Sequence, residues 1–140
     1  MATADARLEG VEMLEDTSFY TLDYYASHAM VRLVWKRRPS SLEYRKALTF
    51  FLNLLMKLRV ERALFDNLQA GLISAEDRDW STFYIKTLLP KSRLKKLASV
   101  VGQEVLQRML IRGMHAEAKN QYELMFFESE QEAFDWLLGS

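Results

Sequence analysis

A chain of 140 residues, 49% hydrophobic and 27% charged, can bury about two-thirds of its unfolded surface as one domain, so it needs no covalent or metal staple. Its 19 Lys and Arg balance 19 Asp and Glu, which leaves no net charge to draw in nucleic acid or an anionic membrane from a distance. It contains no cysteine, which excludes disulfides, thiolate catalysis and cysteine zinc sites.

Residues 1–17 are acidic and weakly patterned. They read as a flexible lead with room for a short strand at 10–14, ahead of a single domain over 18–140. No apolar run of signal-peptide type opens the chain. The stretch 48–56 is broken by Thr49 and Asn53 and falls far short of the roughly 20 residues that span a bilayer. A cytoplasmic location is expected. Residues 19–25 and 29–35 are rich in aromatic and β-branched residues and are separated by Ala26-Ser27-His28, the pattern of a hairpin. In the second run Met30, Arg32 and Val34 alternate with Val31, Leu33 and Trp35.

After Pro39 the spacing predicts a helix whose core stripe is Tyr44, Ala47, Leu48, Phe51, Leu52, Leu55 and Leu58. Residues 61–66 read as a buried parallel strand, and 67–73 as a loop holding Gly71. A second helix follows with the stripe Trp80, Phe83, Tyr84, Thr87 and Leu88, stopped near Pro90. Residues 96–101 form the next strand. A third helix runs from an N-cap at Gly102 through Val105, Leu106, Met109 and Leu110 to Gly113 at its C-terminal exit. Residues 122–127 make the last strand, and a helix through Ala133, Phe134, Leu137 and Leu138 ends the chain.

Three of these helices open on the same signal. Ser40, Ser74 and Ser129 each begin a Ser-x-x-acid sequence, in which the hydroxyl caps a helix N-terminus and the acid sits three residues in. Strand followed by capped helix, repeated, gives an α/β fold: a mixed four- to five-stranded sheet with an N-terminal hairpin and about four helices, in the order β-β-α-β-α-β-α-β-α.

That order resembles the STAS family (sulfate transporter and anti-sigma-factor antagonist domains), nearest its small stand-alone bacterial branch. The residues carrying the resemblance are Ala63-Leu64-Phe65-Asp66-Asn67 through Ile73-Ser74-Ala75-Glu76-Asp77, the run Leu97-Ala98-Ser99-Val100-Val101, and the closing 126–137 with its Glu-rich helix start and Trp136-Leu137. The resemblance covers about residues 19–138. It implies a non-enzymatic regulatory or adaptor module, anti-sigma-antagonist-like, that works through protein–protein contact. It also implies that the regulatory face is the turn after the central strand, here Asp66, Asn67, Gly71, Ser74, Glu76 and Asp77. Related domains grouped with lipid-transfer folds imply an alternative, a carrier of a small apolar ligand or lipid between sheet and helices.

Read from the residues themselves, Ser74 is a helix cap, and Glu76, Asp77 and Asp79 complement the positive end of that helix. With Asp66 they could gather as a carboxylate cluster for a magnesium-type site or an enzyme, a weaker alternative, since no glycine-rich phosphate loop accompanies them. His28 and His115 fall in a turn and a loop without a triad or metal spacing, and read as exposed. No catalytic, metal or cofactor residue is expected. The basic runs at 36–38 and 91–96 read as solvated faces, so no nucleic acid is expected. At about 100° per residue, Phe50 falls opposite the first helix's core stripe, Leu54 at its border, and Ile85 off the stripe of the second helix. These three read as a partner surface, most simply a homodimer contact. Met109, Met114 and Met125 read as core gap-fillers.

Overall fold

The two-residue alternation of 30–35 sets up a sheet with two different faces. In the structure, a computed structural model that describes residues 9–118 and 121–139, the strands are β1 (Glu12–Asp16), β2 (Tyr20–Tyr25), β3 (Met30–Trp35), β4 (Arg62–Asp66), β5 (Lys96–Val100) and β6 (Glu123–Phe127). The helices are α1 (Ser41–Lys57), α2 (Ala75–Leu88), α3 (Val105–Met114) and α4 (Glu130–Leu138), with 3-10 turns at Ala26–His28 and Leu89–Lys91. All six strands form one mixed sheet in chain order. β1, β2 and β3 are antiparallel neighbours, and β3 through β6 are parallel.

The fold is therefore α/β with four helices, but it has six strands where four or five were expected. The added strand is β1, which lies inside the segment expected to be a flexible lead. Glu12 and Met13 face Tyr24 and Asp23, and a bulge then shifts the register so that Glu15 and Asp16 face Leu22 and Thr21. Its acids and its bulge suit an edge strand, where charge and irregularity block pairing with another chain. Residues 1–8 of that lead lie outside the described residues.

Strand order explains the layers. Each crossover from β3 to β6 steps the same way across the sheet, and right-handed crossovers then put α1, α2 and α3 on one face. There Val31, Leu33, Trp35, Ala63 and Leu97 meet the α1 residues Ala47, Leu48, Phe51 and Leu55 in the main core. α4 has no strand after it and covers the opposite face, where Met30, Leu64, Ala98 and Val100 pack on Ala133, Phe134 and Leu137.

The three serine caps form as read. Ser40 Oγ accepts the Glu43 N–H, and Glu43 in turn accepts the Ser40 N–H, a full capping box. Ser74 and Ser129 cap α2 and α4 through the Asp77 and Glu132 N–H groups. The first helix buries the expected stripe, Tyr44 to Leu55.

Two helices differ from expectation. α3 has its N-cap at Glu104 rather than Gly102, and it continues through Gly113 to Met114. Gly102 instead supplies a left-handed turn residue, with φ of 62°. α2 is rotated: it buries Asp77, Ser81 and Ile85 and leaves Phe83 and Tyr84 exposed. The inward polar groups are all satisfied. The Tyr44 and Ser81 hydroxyls lie 2.6 Å apart, Ser81 donates to the Asp77 carbonyl at 2.7 Å, and Arg45 and Ser41 donate to the Asp77 carboxylate at 2.8 and 2.7 Å. A polar stripe paired in this way can be buried without the penalty of an unmatched group.

Candidate functional site

Asp66 and Asn67 end the central strand, and the pleat sends them to opposite faces. Asn67 extends the ladder by donating its N–H to the Val100 carbonyl at 2.8 Å. Its side chain donates to Ser99 Oγ at 2.8 Å on the α1–α3 side. The loop that follows, 67–74, is pinned from three directions. Gln107 of α3 donates to the carbonyls of Asn67 and Gly71, Arg38 donates to the Leu72 carbonyl, and Arg78 of α2 donates to the Ile73 carbonyl. Gly71 sits at φ 72°, and a Cβ there would approach Arg38 Cδ to 3.2 Å. Both the turn and the packing of Arg38 across it therefore favour glycine.

Beneath this loop lies a cavity of about 200 Å³ between the sheet and α1, α2 and α3. Its walls are apolar and aromatic, with Trp35, Tyr44, Phe51 and Phe65 prominent. Phe51 and Phe65 meet edge to face at 4.5 Å, and Trp35 stacks on Tyr44 at 5.9 Å. Asn67, Ser99, Gln107 and His115 add polar atoms to the lining, and all four residues are buried. The lining reaches the surface at Arg38, Ser41, Leu72 and Ser74. β3 to β6 lie in chain order, so the reversal of strand order that opens a ligand crevice in doubly wound sheets is missing. The space is found over the sheet instead.

His115 corrects an expectation. It is 7% exposed, capping the C-terminal end of α3, with Nδ1 bonded to the Tyr122 hydroxyl. Burial pushes its imidazole down to about 4, so it is neutral at pH 7. His28 lies in the Ala26–His28 turn and is half-buried.

On the other face Asp66 meets a charged cluster. Arg32 donates to Asp23 at 2.7 Å, and its Nε and Nη2 grip both oxygens of Glu130, the first residue of α4, at 2.7 and 3.0 Å. Asp66 hydrogen-bonds Glu130. Burial and then that neighbouring carboxylate push Asp66 up to about 7. Burial pushes Glu130 up as well, but the Asp66 hydrogen bond and the Arg32 guanidinium outweigh it and hold Glu130 below the usual carboxylate range. Of the two acids Asp66 is therefore the one that holds a proton more readily.

The expected regulatory residues are accordingly divided by the sheet. Asn67, Gly71, Ser74 and Asp77 line the cavity, while Asp66 belongs to the α4 face. Glu76 is exposed. Asp77 is committed to Arg45 and Ser41, so the sequence-adjacent acids do not gather around Asp66. Burial would raise Asp77, but the hydrogen bonds from Arg45, Ser41 and Ser74 hold its carboxyl low. Among the described residues no group of three His, Asp or Glu could hold a metal ion, and no helix is long and apolar enough to cross a membrane.

The expected partner surface is also redistributed. Ile85 is 5% exposed and lines the cavity; Phe50 and Leu54 are half-buried and pack against the main core. Of the three methionines read as gap-fillers, only Met114 is buried, whereas Met109 and Met125 are 59% and 41% exposed. Ser99, Gln107 and His115 were not singled out as site residues. The available signal is a serine in an apolar strand; Gln107 lies off the apolar run Val105, Leu106, Met109 and Leu110 and shares the buried side of α3 with Ile111 and Met114.

No family model, no curated protein and no solved structure matches the chain.

Proposed function

We propose that this domain binds a small, largely apolar molecule in the cavity between its sheet and α1–α3, as a carrier or sensor and not as a catalyst. The observation that carries the reading is the cavity. Protein interiors rarely leave voids larger than a water molecule, yet about 200 Å³ remains here. Filling such a space with side chains would stabilise the fold on the order of a few kcal/mol. Its buried apolar walls with a few polar groups have the make-up of a ligand site. The kinship to STAS domains, with a regulatory role in the cytoplasm, belongs to the same proposal. The pinned loop 67–74 is then the element through which occupancy reaches a partner.

A cavity-filling variant tests this. Leu97, on β5, lines the space, and Leu97→Trp should occupy part of it. Native mass spectrometry of the wild type should show a small non-covalent passenger, or thermal scans should show stabilisation by apolar compounds. At a hundredfold excess over Kd the gain is about 2.7 kcal/mol. Leu97→Trp should lose both effects and keep or raise its own melting temperature. No passenger, together with identical behaviour of the two proteins toward every apolar compound, would sink the reading.

One observation favours a second reading, an adaptor that pairs with itself or with another protein. Val105, Leu106 and Met109 on α3 are all exposed, and exposed apolar side chains on one helix in this way are what interfaces use. Met109→Lys should convert a dimer to a monomer by light scattering, with circular dichroism unchanged. A monomeric wild type removes the self-pairing form of this reading.

A further inference from the structure

We infer that the guest of this cavity is an uncharged, ring-sized molecule with one hydrogen-bonding end, of the phenol or benzamide type, and not a fatty acid or a diacyl lipid. The inference rests on the proposed binding role and narrows it through size, charge and the disposition of polar atoms.

Size comes first. An apolar cavity of about 150 Å³ holds benzene, so the 200 Å³ here suits one ring with a substituent, about ten non-hydrogen atoms. A long acyl chain needs far more. The walls suit a planar guest, since Trp35, Tyr44, Phe51 and Phe65 offer both faces and edges, and aromatic rings gain from offset and edge contacts.

Charge comes second. A buried ion needs a counter-ion or several donors. Three side chains of the lining could carry full charge near neutral pH, and none serves. Asp77 is already paired with Arg45. Arg38 is exposed at the rim and laid over Gly71. His115 is bonded to Tyr122 in the interior and kept neutral by burial. An anionic or cationic head drawn inside would find no free counter-ion.

The polar end is supplied by Asn67, Ser99 and Gln107. One N–H of the Asn67 amide is spent on Ser99 Oγ, and both of the Gln107 amide on the carbonyls of Asn67 and Gly71. What these bonds leave is the second N–H of the Asn67 amide, the hydroxyl hydrogen of Ser99 and the two amide oxygens: two donors and two acceptors. A hydroxyl or carboxamide answers both kinds, whereas a plain hydrocarbon answers neither and a carboxylate would face the amide oxygens.

The test is a calorimetric and NMR titration of the intact chain with phenol, benzamide, toluene, benzoate and dodecanoate. Phenol and benzamide should bind most tightly, with benzoate at least tenfold weaker and dodecanoate causing no shifts at Ser99 or Phe65. Ser99→Ala should weaken benzamide about fivefold, the loss of one hydrogen bond, and leave toluene within twofold. If benzoate or dodecanoate binds as well as benzamide, or if Ser99→Ala treats toluene and benzamide alike, the guest class is wrong while the cavity's binding role stands. If none of the five binds the wild type but larger apolar compounds stabilise it in the Leu97→Trp comparison, the class again fails alone. If nothing binds in either experiment, both fail.

Discussion

Replacing Arg32 by Met should destabilise the domain by about 2–4 kcal/mol in urea unfolding, at unchanged dependence on denaturant. The side chain sits mid-strand in β3, directly across from Asp23 on β2, and its fork reaches Glu130 at the start of α4. It thus ties three elements that are far apart in the chain. Asp23 is almost wholly buried and Glu130 is partly so. Removing the cation strands one buried carboxylate and leaves the other facing only Asp66. Breaking such a pair costs more than the pair contributes, because the remaining charge stays out of water. Met keeps the aliphatic bulk, so a cavity is not the cause of the loss. Arg32→Lys, a single donor head in place of the two-pronged grip on Glu130, should recover part of it. A cost below about 0.5 kcal/mol, the range of an exposed ion pair, would show that solvent already screens the cluster.

Asp66→Asn should remove a pH dependence and stabilise the protein on the alkaline side. The folded pKa of Asp66, about 7, lies above its ordinary value of 3.8. Between those values the native state holds a proton that the unfolded chain releases, so stability falls as pH rises through that window and the loss is complete above it. Glu130 is shifted the other way. Its contribution is present above its ordinary pKa and disappears only in more acid solution. From pH 5 to pH 8 the Asp66 effect therefore dominates, on the order of 1–2 kcal/mol once the solvent at the Glu130 side is allowed for. Wild type should lose that much over the interval, and Asp66→Asn should stay nearly level. Equal slopes for the two proteins would mean that Asp66 ionises normally.

Much of this architecture is legible in local sequence. Ser40, Ser74 and Ser129 cap helices because a hydroxyl three residues before an acid satisfies end groups within one turn. The α1 stripe from Tyr44 to Leu55 is buried as its spacing demands. α2 defeats the same logic. Counting apolar residues turns Phe83 and Tyr84 inward, but Asp77 and Ser81 are buried because Arg45, Ser41 and Tyr44 of another helix satisfy them. His115 is misread for the same reason, its partner Tyr122 being on the far side of a loop. The residues that resemble a regulatory loop are contiguous in sequence, yet the pleat divides them between a cavity and a charged cluster. Asp66 finds its partner in Glu130, distant in the chain.

What the chain's own pattern settled was the list of parts: parallel strands, the helices between them and the serines that start three of them. Those features depend on interactions spanning only a few residues. Packing alone assigned which face α2 presents, which carboxylates meet and where space is left unfilled. Each of these depends on groups brought together from distant positions. A void in particular is set by every wall at once, and no single residue encodes it.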